Sequence, residues 1–160
     1  MDAFSFLWCM STSFIFIRPS IGLLQVAMIL PVITTAQSID LIRQHQWQQR
    51  VLLVFSTHTS NEQYQRQLAE YQQQQEGFQE RDLVVYKVLA DQVIAPTGEV
   101  YPQTVAQALR DQYGVSQSEW TVVLVGKDGQ EKVTKRGMFN ADQLFIIIDQ
   151  MPMRRRERQH

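Results

Sequence analysis

The chain has 160 residues, which is enough for one domain of ordinary size and too little for two. Hydrophobic residues make up 44% of it, so the chain can build a packed core and wholesale disorder is excluded. Its formal net charge is -1, and a chain so close to neutral lacks the field that non-specific nucleic-acid binding requires. We therefore expect no nucleic-acid partner.

The N-terminal segment, residues 1–36, predicts export. Between Ala3 and Ala36 the only charged residue is Arg18. Its second part, residues 21–36, has the length of a signal-peptide core and ends in small residues that suit a signal peptidase. We predict cleavage after Ala36 and an exported protein that is periplasmic or secreted.

An uncleaved membrane anchor is the alternative for this segment. A spanning helix needs roughly 20 continuous apolar residues, whereas Gln25 and Pro31 interrupt the apolar run. The membrane is a partner only if the segment is retained. The single cysteine, Cys9, lies within it, so the processed chain would hold no thiol nucleophile, no disulfide and no cysteine-based metal site.

A strand and a helix are predicted next along the chain. Residues 51–55 form a short continuous apolar run, which is typical of a strand buried on both faces. A polar turn follows at residues 56–59. Ser60 then predicts a helix N-cap, and Gln63 completes a capping box. An apolar stripe at helical spacing supports this helix and consists of Tyr64, Leu68 and Tyr71.

A second strand and a second helix follow. The apolar run at residues 83–89 predicts another interior strand, so that strand, helix and strand form a right-handed parallel crossover. The second helix is predicted to begin near Pro102 and to end before Gly114. One face of this helix holds Val105, Leu109 and Tyr113.

A hairpin is predicted in the last third of the chain. Residues 120–125 form a third apolar run, and the turn at residues 126–129 contains an Asp-Gly pair, a strong hairpin signal. Residues 132–135 alternate around one valine and predict an edge strand, because lysines on an exposed edge discourage further pairing.

The predicted order of elements defines the fold class. A last helix follows Asn140, which together with Gln143 repeats the capping pattern, and Pro152 ends this helix. The order is then β-α-β-α-β-β-α, which is the α/β thioredoxin-like arrangement with a central four-stranded mixed sheet. We assign residues 37–151 to this domain and residues 152–160 to a basic C-terminal tail.

Four segments of the sequence resemble a known family. They are Trp47 with residues 51–55, residues 77–85, residues 122–129 and residues 148–155. Together they are similar to a family of unknown function with a thioredoxin- or peroxiredoxin-like core. That family occurs in small exported bacterial proteins and at the end of animal sushi-repeat extracellular proteins. The resemblance implies this fold and an extracytoplasmic setting, and it carries over no catalytic residues.

The position at which redox-active members of this fold hold their cysteine contains no sulfur. That position is the start of the first helix, where the helix N-terminus lowers the pKa of a thiol. The cis-proline that usually faces the cysteine is replaced by the segment at residues 118–120. We therefore expect no thiol–disulfide exchange by this chain. The residues in the cysteine's place are Ser56, Thr57, His58, Thr59, Ser60 and Asn61.

The same turn is a candidate binding site. Its hydroxyls, its imidazole and the free helix N–H groups suit an anion. The plainer interpretation is that Ser60 only caps the helix and that His58 is exposed. A nucleophilic pair of Ser56 or Ser60 with His58 would need an orienting carboxylate, and Asp91 is the nearest candidate in this fold.

A second candidate surface is basic, and it would face an acidic glycan, lipid headgroups or a protein partner. Its members are Lys132, Lys135, Arg136, Arg154, Arg155, Arg156 and Arg158. The alternative is that the arginine run is a solvated chain end, in which positive charge stabilises a helix C-terminus. The three histidines are far apart and lack zinc-ligand spacing, so we expect no metal and no cofactor.

These observations predict an exported thioredoxin-like domain without a redox centre. Its role would be to bind a partner, either an extracytoplasmic protein or an acidic glycan. The competing interpretation is an enzyme of peroxiredoxin-like lineage that uses non-thiol groups in residues 56–61. A third is a membrane-tethered periplasmic accessory protein, which requires that residues 20–36 stay attached.

Overall fold

The computed structural model describes residues 40–159. The predicted signal segment, residues 1–36, therefore lies outside the described residues. Residues 40–43 form a helical turn, after which the chain builds a six-stranded mixed sheet. Within residues 40–159, no helix is long and apolar enough to cross a membrane.

The strands and helices alternate along the chain as follows. The strands are β1 (Arg50–Phe55), β2 (Leu83–Val88), β3 (Gln92–Ile94), β4 (Val100–Pro102), β5 (Thr121–Val125) and β6 (Glu131–Arg136). The helices are α1 (Glu62–Gln73), α2 (Gln75–Glu80), α3 (Gln103–Tyr113), α4 (Ala141–Gln150) and α5 (Pro152–Glu157).

The sheet is centred on its most apolar strand. β1 is buried along its whole length, as its continuous apolar run predicted. It pairs in parallel with β2 and antiparallel with β5, so the predicted crossover unit is confirmed. β6 pairs antiparallel with β5 and ends the sheet on that side, which confirms the predicted hairpin and edge strand.

Helices cover both faces of the sheet. Leu52 and Val54 of β1 point to one face and pack in one cluster with residues of α1, α2 and α4. Leu53 and Phe55 point to the other face and pack with α3 and with the helical turn at residues 40–43. This division follows from the alternation of side chains along a strand. Gly114 adopts a left-handed φ of 63° and ends α3, as predicted.

The sheet has six strands rather than the predicted four. β3 and β4 extend it beyond β2, and the order is β4-β3-β2-β1-β5-β6. Each of the two added strands has three residues, which is too short to show an alternating pattern in the sequence. A turn joins them, in which the N–H of Ala95 donates to the carbonyl of Glu99 at 2.8 Å.

One predicted helix cap is wrong, and a second is at the predicted position but lacks a capping hydrogen bond. Asn61, not Ser60, caps α1, and its side-chain oxygen accepts from the N–H groups of Gln63 (3.0 Å) and Tyr64 (3.2 Å). Asn140 occupies the N-cap position of α4, as predicted, but its side chain makes no capping hydrogen bond. The carboxylate of Glu70 on α1 accepts from the N–H of Ala141 at 2.8 Å instead, so a packed neighbour supplies the acceptor that the local pattern assigned to Asn140.

The C-terminal residues are a folded element over most of their length. Residues 152–157 form α5, with Pro152 in its first turn, where a missing N–H costs nothing. Arg154 is buried against the domain. The interpretation of the arginine run as a solvated end is therefore wrong for Arg154, because tertiary ion pairs hold its side chain.

Candidate functional site

The turn between β1 and α1, residues 56–61, is closed by its own hydrogen bonds. Ser56 is fully buried, and its hydroxyl donates to the carbonyl of His58 at 3.0 Å. Its N–H donates to the carbonyl of Val88 at 2.9 Å, and its carbonyl accepts from Arg110 at 2.9 Å. The Ser56 hydroxyl is therefore a structural group and not an accessible nucleophile.

The rest of this turn divides between structural and exposed side chains. The hydroxyl of Thr57 donates to the carbonyl of Gln117 at 3.3 Å, and Asn61 caps α1. His58, Thr59 and Ser60 are exposed. Among residues 40–159, these three form no side-chain hydrogen bond with one another.

Asp91 does not join the turn. It lies exposed between β2 and β3, and within the described residues no hydrogen bond or ion pair connects it with His58. The arrangement of serine, histidine and orienting carboxylate is therefore not assembled. The described part of the chain also holds no cluster of three or more His, Cys, Asp or Glu that could bind a metal.

A buried cation behind this turn was not predicted. Arg110 is 1% exposed and donates to the carbonyls of Ser56 (2.9 Å), Ser116 (2.8 Å) and Val88 (3.4 Å). Burial lowers the pKa of the Arg110 guanidinium below its ordinary value. Arg110 directly follows Leu109 at the margin of the apolar face of α3, and that adjacency was the only sequence signal for its burial.

The members of the predicted basic patch that lie in β6 each have a partner. Lys132 pairs with Asp128 (2.6 Å) and Arg136 pairs with Glu119 (3.3 Å), while Lys135 donates to Gln143 (2.6 Å). Arg154 is buried and pairs with Asp149 and Glu80. Three arginines of the predicted patch are exposed on or just after α5, and they are Arg155, Arg156 and Arg158.

A groove beside α1 and β2 was not predicted from the sequence, and we call it the α1–β2 groove. It consists of two adjoining depressions of about 710 and 280 Å³ that share Leu68, Gln72 and Lys87. The groove exists because α1 and α2 cover the centre of the sheet and leave the outer side of β2 open. Its apolar floor includes Leu68, Leu83, Val85 and Ile94.

The rim of the α1–β2 groove is made of uncharged amides around one cation. Gln65, Gln72, Gln75 and Gln79 line it, and these residues belong to the glutamine-rich helical region. Lys87 lies on the same face of β2 as Leu83 and Val85 and is half-buried. Among the described residues, its side chain has no carboxylate partner. The groove can therefore offer amide hydrogen bonds and one free positive charge to a ligand.

The fold and the closed turn together define a thioredoxin-like domain without a reactive thiol, since residues 40–159 contain no cysteine. Residues 41–157 match the family described as a domain of unknown function, DUF4174, and the chain belongs to that family. A comparison with curated proteins finds no match.

One solved structure with the same fold is the reduced 2-Cys peroxiredoxin of Plasmodium vivax. The similarity covers 74% of this chain and 84% of that chain, with a TM-score of 0.54 and 13% sequence identity. At this identity the similarity shows the fold alone, and it confirms the thioredoxin-like prediction.

Proposed function

We propose that this chain is an exported, non-catalytic binding domain whose ligand, an acidic glycan, occupies the α1–β2 groove. The observation that carries the proposal is Lys87, a half-buried cation without a carboxylate partner among the described residues, in the middle of an amide-lined groove. A lysine in this setting gains a charge-assisted hydrogen bond when an anionic group binds.

The chemistry of the lining favours a sugar ligand. Glutamine amides both donate and accept hydrogen bonds, so they suit the neighbouring hydroxyls of a sugar ring. The apolar floor suits the C–H faces of such a ring, and Lys87 suits the carboxylate of a uronic acid. Lys87 is the only charged residue in the lining, so the groove holds no pair of charged groups for acid–base catalysis, which favours a binding role.

A binding experiment with a defined probe tests this proposal. Trigalacturonate titrated into the purified protein should perturb the amide resonances of Leu68 and Gln72. Lys87→Gln should weaken its affinity about tenfold, the worth of one charge-assisted hydrogen bond. Arg66→Gln is the matched control, because Arg66 lies exposed on α1 and pairs only with Glu62 among the described residues.

The outcomes separate the two partner classes. Equal affinity for the Lys87→Gln and Arg66→Gln variants, or no binding of trigalacturonate, would contradict the glycan proposal. If a short polyglutamate peptide binds with the same dependence on Lys87 and trigalacturonate does not, the partner is an extracytoplasmic protein segment.

Export is the second part of the proposal, and it rests on the apolar segment at residues 1–36. N-terminal sequencing of the protein purified from its own cells should begin at Gln37. A retained segment together with recovery in the membrane fraction would instead support the tethered accessory protein.

A further inference from the structure

A second cavity lies at the end of the sheet where β1 begins and β5 ends, far along β1 from the closed turn. It has a volume of about 240 Å³, and we call it the basal cavity. Its lining includes three cationic side chains and one carboxylate, which are Arg50, Lys127, Lys132 and Asp128. Two further carboxylates, Glu157 and Asp82, pair with Arg50 and Lys127. Met151, Pro152 and Met153 form an apolar wall.

The cations of the basal cavity retain unused hydrogen-bond donors. Arg50 is 1% exposed, and its Nε has no hydrogen-bond partner although its two terminal nitrogens do. The Nζ of Lys127 pairs with Asp82 (2.7 Å) and Glu157 (2.8 Å), and the Nζ of Lys132 pairs only with Asp128 (2.6 Å). An ammonium group has three N–H donors. Both lysines therefore keep donors for a further acceptor.

The side chain of Lys132 packs closely against Gly126. A Cβ on Gly126 would lie 2.5 Å from Cε of Lys132 and 2.7 Å from a carboxylate oxygen of Asp128. A side chain at Gly126 would therefore require the end of the Lys132 side chain to shift. Arg155 and Arg156 lie exposed on α5 next to the apolar wall and add positive charge around this end of the domain.

We propose that the basal cavity binds a phosphate group, either free or as a phosphate ester. Lys127 in the β5–β6 turn and Lys132 in β6 each keep an ammonium donor and offer it from a different segment of the chain. A tetrahedral anion with several oxygens uses such donors more fully than a planar carboxylate does. The methionine and proline wall fits the organic part of an ester. This site is independent of the α1–β2 groove.

The test is a titration of the purified protein with inorganic phosphate and with glycerol phosphate, followed by amide resonances. The amides of Gly126 and Lys127 should shift in a saturable way, and those of Leu68 and Gln72 in the α1–β2 groove should not. Lys132→Gln should weaken phosphate binding about tenfold, since it removes a charge-assisted bond. Lys132→Arg should restore most of the affinity.

Lys135→Gln is the matched control, because it removes the same charge from the same strand outside the cavity. Its affinity for phosphate should stay within about twofold of the parent, as expected for a surface charge. The proposal is overturned if phosphate does not saturate the shifts, if Lys132→Gln and Lys135→Gln behave alike, or if acetate binds as tightly as phosphate.

Vesicles distinguish the source of the phosphate. Recruitment to phosphatidylglycerol vesicles but not to phosphatidylcholine vesicles, lost in Lys132→Gln and kept in Lys135→Gln, identifies a lipid headgroup. Binding of glycerol phosphate without recruitment to vesicles identifies a soluble phosphate ester. Either result supports the phosphate site, and neither depends on whether a glycan binds in the groove.

Discussion

A buried glutamine, Gln67, holds the start of α4 against α1. Its amide nitrogen donates to the carbonyl of Phe139 (2.9 Å), and its amide oxygen accepts from the N–H of Phe139 (2.6 Å). The hydroxyl of Tyr71 also donates to that carbonyl, and burial raises the pKa of Tyr71 above its ordinary value. The glutamines of α1 therefore do not all lie on a solvated helix face, because Gln67 forms hydrogen bonds with buried backbone groups.

Replacement of this glutamine should destabilise the domain. In Gln67→Leu the buried N–H of Phe139 loses its acceptor, so we expect the free energy of unfolding to fall by about 2 kcal/mol. Urea denaturation followed by tryptophan fluorescence measures the change. Gln73→Leu, an exposed position of the same helix, should stay within about 0.5 kcal/mol of the parent. Equal effects of the two substitutions would show that the contact with Phe139 is not important.

The helix α5 is attached to the base of the sheet by ion pairs. Glu157 accepts from the buried Arg50 (3.2 Å) and from Lys127 (2.8 Å). Burial alone would raise the pKa of Glu157, but the hydrogen bonds from Lys127 and Arg50 outweigh it and hold this pKa below its ordinary value of 4.5. Asp149 behaves in the same way, because hydrogen bonds from Arg81 and Arg154 outweigh its burial and lower its pKa.

The lowered pKa values of Glu157 and Asp149 determine how the stability of the domain changes with pH. A carboxylate whose pKa is lower in the folded state contributes stability that is complete above its unfolded pKa and is lost as the pH falls through its folded pKa. We therefore expect the free energy of unfolding to decrease below about pH 4.5, the unfolded pKa of a glutamate. Denaturant titrations across pH 2 to 7 give this profile.

Glu157→Gln should weaken the attachment of α5 to the sheet. It should also make the free energy of unfolding depend less steeply on pH below about pH 4.5. The substitution leaves the buried Arg50 without its carboxylate, and we expect a loss of about 3 kcal/mol at pH 7. In Glu62→Gln the exposed pair with Arg66 is removed, and the loss should be below about 0.5 kcal/mol. If the free energy of unfolding of Glu157→Gln falls as steeply below about pH 4.5 as that of the parent, the result would argue against this role of Glu157.

At the scale of the whole molecule, the scaffold keeps the thioredoxin-like arrangement and fills the usual reactive position with structural groups. Ser56 and Asn61 use their side chains to close the β1–α1 turn, and Arg110 holds it from behind. The extra strands β3 and β4 widen the sheet beside the α1–β2 groove. The α1–β2 groove borders the β1–α1 turn, because Thr59 of the turn lines one of its two depressions.

A purified protein processed at residue 36 should be inert in thiol assays. It would contain no cysteine, so we expect no reduction of insulin and no consumption of hydrogen peroxide above the buffer rate. His58→Ala should change neither readout. Activity that persists through repeated purification and disappears in His58→Ala would support the enzyme interpretation based on residues 56–61.

The sequence alone determined those features that arise from neighbouring residues. The continuous run at residues 51–55, the period of α3 with Gly114 at its end, and the Asp-Gly turn at residues 126–129 are local patterns. Strand burial, helix faces and hairpin connections follow from such patterns. The order of β1, β2, β5 and β6 and of the helices between them along the chain was therefore predictable. The absence of cysteine after residue 9 was likewise visible in the sequence.

The hydrogen-bond and ion-pair partners of the polar side chains became visible in the tertiary structure alone. Glu70 caps α4 from another helix, and the buried Arg154 pairs with Glu80, which is distant in sequence. Lys87 has no carboxylate partner among the described residues, whereas four of the seven members of the predicted basic patch have an acidic or amide partner. A side chain's hydrogen-bond partner depends on chain segments that meet in space, and periodicity carries no information about those meetings. For the same physical reason, both cavities were missed.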